Sequence, residues 1–401
     1  MDLLAFLCEV CRLKRKIVNF LKYNKVAYTA YYYIMSVAIN FLKLFVKPDD
    51  KLVLFNSFAG RKYDDSPKAV FEAMKNDSRF SSYHFVWAFH QPEQFDVVGA
   101  EKIKTDGLLY FITALKARVW ITNSSVERGL DFKGKNTFYL NTWHGTPIKK
   151  MGTDIAKGNQ SFGSKGKNKT DIMNTQSEFE TNVFSKCFGI PKEHFLKVGL
   201  PRNDELANYF KNQRDELRLK LGIPLDKKVI LYCPTFREYE KDENLGVVLA
   251  PPMDLEKWKT MLESQYVLLF RAHYEVSKVM DIKENEFVRN VTDYPSLNEL
   301  MIASDILISD YSSVFFDFSI MDKCMLYFTY DYDKYKEKRG MYFDIRKCIS
   351  GASNEEDLLT LLLELNVENE IPKTENFRKK YVNYYGNAAV QTMECVARNI
   401  L

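Results

Sequence analysis

TFYLNTWHGTPIKK, residues 137–150, joins a strand-like run directly to a group of polar residues. A run of aromatic and aliphatic residues is followed, without a linker, by His144, Gly145 and two lysines. Such a run is typical of a strand in a buried parallel sheet, and ligands in such sheets bind at the carboxyl ends of the strands. The stretch therefore predicts a parallel sheet with functional residues at its edge.

Strand-like runs alternate with helix-like runs on both sides of this stretch, in two series. The strand-like runs are LVLFNSF (52–58), YHFVWAF (83–89) and RVWITN (118–123), then KVILYCPT (228–235), YVLLFRAHY (266–274), DILISD (305–310) and MLYFTY (325–330). We predict helices over Pro67–Lys75, over Asp171–Cys187 with Gly189 as its cap, and over 201–222. This alternation predicts βαβ units and an α/β fold with two halves around a cleft.

Composition places the chain among globular proteins. Its 401 residues are 46% hydrophobic and 27% charged, which excludes a disordered, collagen-like or polytopic membrane protein. With 57 basic and 53 acidic residues the net charge is +4, too even for a nucleic-acid binder. Seven scattered cysteines indicate reduced thiols, and the Cys8–Cys11 pair lacks the second pair that a zinc site needs.

The N-terminal arm, residues 1–48, carries the positive excess. It has eight basic and two acidic residues, a net charge of +6. Val26–Leu42 is an uncharged run, slightly too short to span a bilayer, with polar residues along one side of a helix: Thr29, Tyr33, Ser36 and Asn40. We interpret the arm as an amphipathic helix on an anionic membrane surface. Packing against the globular body and a true membrane span are the alternatives.

Polar side chains at the strand ends indicate a site for a diphosphate. His144, Arg202, Thr235, Arg237, Arg271, His273, Ser312 and Ser313 all follow strand-like runs. Cationic and hydroxyl donors of this kind suit phosphate oxygens, and Asp317 is placed to accept hydrogen bonds from a ribose diol, unless it is a surface charge of its helix. The motifs of P-loop NTPases and ordinary dehydrogenases are missing. Asp331-Tyr332-Asp333 is either a metal-binding D-x-D or one acidic triplet among many.

The order of these motifs resembles the CDP-glycerol glycerophosphotransferase family, the teichoic acid primases and polymerases of Gram-positive bacteria. The resemblance covers roughly residues 50–385. It rests on NTWHGTPIKKMG (141–152), GLPRND (199–204), PTFR (234–237), RAH (271–273), SDYSS (309–313) with Asp317, and RGMYFD (339–344). Ala272 departs from the proline that the family often has.

This resemblance implies a GT-B-like fold of two Rossmann-like domains that face a cleft. We expect a membrane-surface arm over residues 1–48, an acceptor domain over 49–205, a CDP-alditol-binding domain over 206–375, and a C-terminal helix over 376–401 that crosses back. The implied reaction transfers glycerol phosphate from CDP-glycerol to a hydroxyl of a lipid-linked saccharide or polymer at the cytoplasmic face of the membrane, with release of CMP. Ribitol phosphate transfer from CDP-ribitol, a nucleotide-sugar glycosyltransferase and a catalytically silent scaffold are the alternatives.

The resemblance also assigns roles to individual residues. His144 is the expected base, and His273 with Arg271 is expected to neutralise the phosphates. The expected substrate-binding residues are Gly145, Thr146, Pro147, Ile148, Arg202, Pro234, Thr235, Arg237, Arg271, Ala272, Ser312, Ser313 and Asp317. No cofactor or tightly held metal is expected, although Mg²⁺ is allowed an assisting role. The short N-terminal region is closer to that of the primases than to that of the large polymerases.

Overall fold

Two fully parallel sheets form the centre of the molecule. The computed structural model describes residues 20, 24–156, 168–235, 237, 251–272 and 282–401. The first sheet has the order β3-β2-β1-β4-β5-β6-β7, and the second has the order β10-β9-β8-β11-β12-β13. Each sheet with its helices is called a half below. The α/β class predicted from the sequence is confirmed.

The elements have the following bounds. The strands are β1 (Asp49–Asn56), β2 (His84–Phe89), β3 (Glu101–Lys104), β4 (Ala117–Thr122), β5 (Phe138–Asn141), β6 (Ile172–Thr175), β7 (Phe195–Lys197), β8 (Lys228–Cys233), β9 (Tyr266–Phe270), β10 (Val288–Asn290), β11 (Ile306–Ser309), β12 (Cys324–Phe328) and β13 (Ser350–Ala352). The α-helices are α1 (Lys25–Leu42), α2 (Asp65–Lys75), α3 (Leu108–Lys116), α4 (Glu178–Phe188), α5 (Asp204–Asn208), α6 (Lys211–Lys220), α7 (Leu255–Leu262), α8 (Leu297–Ala303), α9 (Val314–Ser319), α10 (Tyr332–Arg339), α11 (Glu355–Leu363), α12 (Val367–Tyr381) and α13 (Ala388–Ile400).

The strand order reverses at one place in each sheet. In the first sheet the reversal lies between β1 and β4, and in the second it lies between β8 and β11. The connections on the two sides of such a point leave in opposite directions, so a crevice opens at the carboxyl ends of the strands. Two crevices of this kind position the candidate site.

Helix α4 shows how local sequence sets an element. Ser177 accepts a hydrogen bond from the Glu180 backbone N–H at 3.1 Å, and Gly189 ends the helix in the left-handed conformation with φ of 66°. The predicted Gly189 cap is therefore confirmed. The predicted start at Asp171 is wrong, because residues 172–175 form β6. Its Asn174 and Thr175 side chains are fully buried, so the strand has no apolar pattern to reveal it.

Two other helical segments differ from the prediction or extend it. The expected helix over 201–222 is divided into a 3-10 turn (Pro201–Asn203), α5 and α6, with a break at Tyr209 and Phe210. At the other end of the chain, α12 packs with Phe377 and Tyr381 in the core of the second half. Helix α13 packs with Met393 and Val396 in the core of the first half, so the C-terminal segment joins both halves.

Helix α1 lies on the first half, with Tyr28, Ser36 and Ile39 as its buried residues. Of the predicted polar side, Ser36 faces this half, whereas Tyr33 is exposed on the opposite side. The Ser36 hydroxyl accepts a hydrogen bond from the Asp131 N–H at 3.0 Å, and the Asn40 amide donates to the Asp131 carbonyl at 2.7 Å. Ile39 is buried in the core beneath it. The other side of the helix is apolar and exposed, and it carries Val26, Tyr33, Ile34, Val37 and Phe41. No helix in the described part of the chain is long and apolar enough to cross a membrane.

Candidate active site

A cleft of about 710 Å³ lies between the two halves. Residues that follow strands of both sheets line it: Phe58 after β1, His144 after β5, Arg271 after β9, and Ser312 and Ser313 after β11. The first and last of these strands border the reversal points of their sheets. The cleft therefore lies where the fold places a ligand site.

The His144 ring is fixed in one orientation. Its Nδ1 lies 2.7 Å from the carbonyl oxygen of Asn123, so Nδ1 carries the proton and Nε2 is the basic nitrogen. The ring stacks on Trp143 with centroids 4.2 Å apart. Burial lowers the pKa of His144, although the Asn123 carbonyl and Asp65 oppose the shift. The imidazole is therefore neutral at pH 7, as a general base must be.

Gly145 brings the two halves into close contact. Its φ of 138° disfavours any side chain, and a Cβ there would lie 2.6 Å from the Ser313 Oγ and 2.7 Å from the Ser313 Cβ. Trp143, two residues earlier, also has a positive φ of 52°. Strained backbone of this kind is stable only when its surroundings hold it. The turn after β5 is thus shaped to place His144 against the start of α9.

Arg202 connects the halves through a buried ion network. Its Nη1 donates to the Asp65 Oδ2 at 2.7 Å, and its Nη2 donates to the Asp317 Oδ2 at 2.8 Å. The Asn203 amide donates to the other oxygen of Asp317 at 2.7 Å. Asp65 begins α2 of the first half, and Asp317 lies in α9 of the second. Both carboxylates are buried, and burial raises the pKa of Asp317.

This network bears on two predicted contacts. Both oxygens of Asp317 accept hydrogen bonds from the protein, so Asp317 holds Arg202, and its contact with a ribose stays a prediction. The Arg202 guanidinium and the two carboxylates together carry a formal charge of −1. Arg202 therefore does not offer a free positive charge to a diphosphate. Arg202, Asp317, Ser312 and Ser313 nevertheless line the same cleft.

Arg271 remains the cationic candidate for a phosphate contact. Its Nη1 donates to the carbonyls of Val291 at 3.1 Å and Tyr294 at 2.6 Å, which fix the guanidinium at the wall of the cleft. Burial lowers the pKa of Arg271, but a guanidinium stays charged at pH 7. No carboxylate within salt-bridge distance of Arg271 occurs among the described ranges. His273, predicted to act beside it, lies outside the described residues.

Thr146 positions the turn and does not face the cleft. Its buried hydroxyl donates to the Glu180 Oε1 at 2.9 Å and accepts from the Gln176 amide at 2.7 Å. The Glu180 Oε2 accepts from the Gln176 backbone N–H at 2.6 Å, and burial raises the pKa of Glu180 to about 7. The predicted substrate contact of the Thr146 side chain is therefore replaced by an anchor to α4.

Arg237 is a core residue of the second half. Its fully buried guanidinium pairs with Asp331, at 2.7 Å from Nε to Oδ2, and with Asp310, at 2.9 Å from Nη2 to Oδ2. Tyr311 also donates to Asp331, at 3.1 Å. These contacts occupy both the predicted phosphate ligand and the first carboxylate of the D-x-D triplet. Neither group is therefore free for a nucleotide or a metal.

The other predicted contacts fall into three groups. Pro147, Ile148, Pro234 and Ala272 are buried and do not line the cleft. Thr235 is half-buried; its backbone N–H donates to Asp310 at 3.0 Å, and its buried hydroxyl has no partner among the described residues. Gly145 does not line the cleft, but it lies against Ser313 and Arg202, which do. The contacts of the RGMYFD motif, residues 339–344, explain its place in the sequence.

That motif ties the segment after His144 to the second half. The Lys150 N–H donates to the Gly340 carbonyl at 3.0 Å, and the Tyr342 N–H donates to the Ile148 carbonyl at 2.8 Å. The Tyr342 hydroxyl donates to Asp154 at 3.0 Å and accepts from the Met151 N–H at 3.3 Å. These bonds form a short antiparallel pairing across the two halves.

Several residues of the cleft were missed by the sequence reasoning. Lys62, Asp65 and Lys68 come from the segment after β1, and Ser296 and Asn298 come from the start of α8. The Asn298 amide donates to the Arg202 carbonyl at 2.7 Å. The acidic and serine residues directly before Pro67 are a signal for the start of a helix. This signal could have shown that α2 begins at Asp65, two residues before the predicted start. The α8 residues had no such signal, because only the tertiary fold brings them to the cleft.

Metal chemistry finds no support in the described side chains. Over the ranges that the structure describes, no group of three or more His, Cys, Asp and Glu side chains is arranged to hold a metal ion. The expectation of a reaction without a resident metal stays a prediction.

Comparison with known proteins identifies the family. The sequence matches the CDP-Glycerol:Poly(glycerophosphate) glycerophosphotransferase family over residues 38–398. The chain belongs to this family. It is 32% identical over 350 residues to a teichoic acid glycerol-phosphate transferase of Staphylococcus aureus, covering 82% of this chain and 88% of the relative. It is 35% identical over 321 residues to a teichoic acid poly(glycerol phosphate) polymerase of Staphylococcus epidermidis, covering 76% of this chain but only 44% of the polymerase.

Solved structures agree with this assignment. A histidine-to-alanine variant of the wall teichoic acid polymerase TagF matches with a TM-score of 0.80 and 28% identity, covering 100% of this chain and 98% of that chain. A histidine-to-asparagine variant of the same polymerase, soaked with CDPG, matches with a TM-score of 0.79. The predicted family resemblance, the GT-B-like fold class and the glycerophosphotransferase class of teichoic acid synthesis are therefore confirmed.

Proposed function

We propose that this chain transfers glycerol phosphate from CDP-glycerol to a hydroxyl of a lipid-linked teichoic acid acceptor at the cytoplasmic face of the membrane. The observation that carries this proposal is the convergence of the His144 imidazole, the Arg271 guanidinium and the hydroxyls of Ser312 and Ser313 on one cleft between the halves. A base, a cation and neutral donors are the groups that phosphoryl transfer requires.

The reaction forms one bond to the β-phosphorus of CDP-glycerol and breaks another. The acceptor oxygen bonds to the β-phosphorus, and the bond from that phosphorus to the bridging oxygen breaks. The bridging oxygen leaves with CMP, which gains one negative charge. The acceptor hydroxyl loses its proton to the base, so the protein needs a proton acceptor on one side and positive charge on the other.

His144 is suited to take the proton. The Asn123 carbonyl holds the proton on Nδ1, so the lone pair of Nε2 is available for the acceptor hydroxyl. Its lowered pKa keeps the ring neutral at pH 7. A positioned base of this kind contributes roughly 10²–10⁴-fold to a rate.

Arg271 and the two serines are suited to the phosphates. The Ser313 hydroxyl makes no hydrogen bond to its own helix, so it is free to donate to a ligand oxygen. Arg271 is held by backbone carbonyls and not by a carboxylate, so its charge is not neutralised in place. Preorganised donors of this kind are worth about 3–4 kcal/mol each at a developing negative charge.

The exposed face of α1 supports a position at the membrane. Ile34, Val37, Phe41 and Phe45 are each more than 60% exposed, although they are large and apolar. Leu108 of α3 lies beside Phe41 and Phe45 in the same apolar groove. An apolar helix face flanked by a basic sequence binds the surface of an anionic leaflet.

Incubation with each activated donor tests the proposal. Purified protein, CDP-glycerol and a synthetic lipid-linked disaccharide are expected to give CMP and a product heavier by one glycerol phosphate, as measured by mass spectrometry. CDP and CMP are expected to raise the melting temperature, whereas UDP and GDP are not. Transfer from CDP-ribitol alone would change the donor, and stabilisation by UDP with sugar transfer would overturn the proposal.

A further inference from the structure

A second cavity, of about 720 Å³, lies within the first half. Segments that follow β4 and β5 form one wall, and the end of α4 forms another, with Ser124, Glu127, Trp143, Lys186 and Phe188 among its lining residues. In the described part of the chain it shares no lining residue with the cleft between the halves. Its size lies within the range of small-molecule sites, about 300–1,000 Å³.

This cavity lies between helix α1 and His144. On one side its lining includes Gly129 and Asp131, whose carbonyls accept hydrogen bonds from Tyr28 at 3.2 Å and Asn40 at 2.7 Å of α1. On the other side it is lined by Trp143, whose ring stacks on the His144 ring. The cavity therefore borders the segment that holds α1 on one side and the Trp143–His144 stack on the other.

Glu127 gives the cavity its chemical character. The structure shows no hydrogen bond or ion pair of its side chain to any described residue, and burial raises the pKa of Glu127 to about 7. The other charged residues of the lining are paired: Asp131 with Lys169, and Lys186 with Asp154 at 3.1 Å. A partly buried carboxyl group without a partner reduces stability, and a group of this kind in a cavity is a candidate binding residue.

The available groups favour a neutral, hydroxyl-rich ligand. The one unpaired charge of the described lining is acidic, so it repels phosphate and accepts hydrogen bonds from hydroxyl groups. The Trp143 ring lies between His144, at a centroid distance of 4.2 Å, and Phe188, at 4.7 Å, so the part of the indole that lines the cavity is its edge, with an N–H donor that no described residue uses. A carboxyl group beside an aromatic ring thus matches a sugar unit better than a poly(glycerol phosphate) chain.

We propose that this cavity binds the neutral saccharide of the lipid-linked acceptor, with Glu127 accepting hydrogen bonds from sugar hydroxyls and the edge of Trp143 contacting the sugar. The inference rests on the proposed function, because it assigns the acceptor side of the same reaction. It assigns the chain to acceptors that present a sugar next to the lipid. Glu127 acts here as a binding residue, and His144 remains the base.

Acceptor kinetics of the full chain test this inference. Wild type, Glu127→Gln and the control Glu93→Gln, which changes an exposed carboxyl, are compared with two acceptors: a disaccharide linked through diphosphate to a short prenyl chain, and a soluble glycerol phosphate oligomer. For Glu127→Gln we expect the KM of the saccharide acceptor to rise at least tenfold, with kcat and the KM of CDP-glycerol within twofold of wild type. The control is expected to match wild type.

The possible outcomes separate the two proposals. If wild type transfers glycerol phosphate but Glu127→Gln leaves the KM of the saccharide acceptor unchanged, the cavity proposal is overturned and the proposed function stands. Use of the oligomer alone, or an equal rise in KM for both acceptors, also overturns it. Absence of transfer to either acceptor overturns both proposals. The melting temperature of Glu127→Gln is measured alongside, and a lower value would indicate a structural role instead.

Discussion

At the scale of single residues, arginines in similar sequence positions have different partners and therefore different roles. Arg202, Arg237 and Arg271 all follow predicted strands, yet the first two are bound by buried carboxylates and only the third is not. Sequence alone could predict that arginines gather near the cleft. It could not predict their partners, because Asp65 and Asp317 reach Arg202 only through the tertiary fold.

Replacing Arg202 is expected to destabilise the protein strongly. In Arg202→Ala the buried carboxylates of Asp65 and Asp317 lose their common partner, and removal of one member of such a group costs about 3–5 kcal/mol. Urea denaturation measures the free energy of unfolding. Arg79→Ala, which removes two exposed ion pairs, is the control and should change it less. A loss no larger than that of the control would contradict the bridging role.

Glu127 should make stability depend on pH in a definite direction. Its folded pKa of about 7 exceeds the ordinary value of 4.5 for a glutamate, so the folded state binds more protons than the unfolded state between these values. Wild-type stability therefore loses this contribution as the pH rises from about 4.5 to 7. Glu127→Gln does not titrate and does not lose this stability. The difference between its melting temperature and that of wild type should therefore increase from pH 5 to pH 7. A constant difference across this range would argue against an unpaired, buried carboxyl.

At the scale of elements, the sequence predicted the regular strands well and the irregular ones poorly. The central strands of both sheets were visible as apolar runs, whereas β3, β10 and β13 have only three or four residues each. Strand β6 was hidden because Asn174 and Thr175 are polar and buried. The gathering of residues that follow the strands was predictable, because the carboxyl ends of parallel strands lie at the same edge of a sheet. The pairing of 148–150 with 340–342 was not, because no local pattern encodes a contact between distant loops.

The turn after β5 should be sensitive to a single methyl group. In Gly145→Ala the new Cβ would meet Ser313 at 2.6–2.7 Å with an unfavourable φ of 138°, so the two halves must shift apart. We expect kcat to fall at least tenfold because a small displacement of the base is costly. In the control Gly107→Ala the new Cβ meets nothing within 4 Å. Wild-type kcat in Gly145→Ala would show that this close contact is not needed.

The contact between the halves through Tyr342 should also affect turnover. Tyr342→Phe removes the hydroxyl that bonds Asp154 and Met151, at about 0.5–1.5 kcal/mol for each hydrogen bond. We expect kcat to fall about three- to tenfold, measured as CMP release, because the segment after His144 loses its support. Tyr83→Phe, whose hydroxyl has no hydrogen bond among the described residues, is the matched control. Equal rates for the two variants would refute this coupling.

At the scale of the whole molecule, the proposed reaction joins a soluble substrate to a membrane-bound one. The donor is soluble and the proposed acceptor is held in a membrane, so the cleft must be accessible to both. Helix α1 contacts the first half through Ser36, Asn40 and the buried Ile39, and the opposite side of the helix is largely apolar and exposed. The sequence predicted an amphipathic helix but not which side packs, because its partner, the segment around Asp131, reaches it only through the tertiary fold.

Membrane binding should depend on the exposed apolar face. The double variant Val37→Ser with Phe41→Ser keeps the buried Ile39 contact and removes large exposed groups. We expect sedimentation with phosphatidylglycerol vesicles to fall several-fold, while the melting temperature stays within a few degrees. Phe210→Ser, an equally exposed phenylalanine in the second half, is the control. Unchanged sedimentation of the double variant would exclude α1 as the membrane contact.

Single-turnover transfer by His144→Ala measures whether His144 is the base, and a variant of an exposed histidine, His84→Ala, is the control. If His144 takes the proton of the acceptor hydroxyl, the rate of glycerol phosphate transfer falls at least a hundredfold, while the Kd for CDP-glycerol stays within twofold of wild type. A transfer rate close to that of wild type, or a loss that appears only in the Kd for CDP-glycerol, would contradict the account.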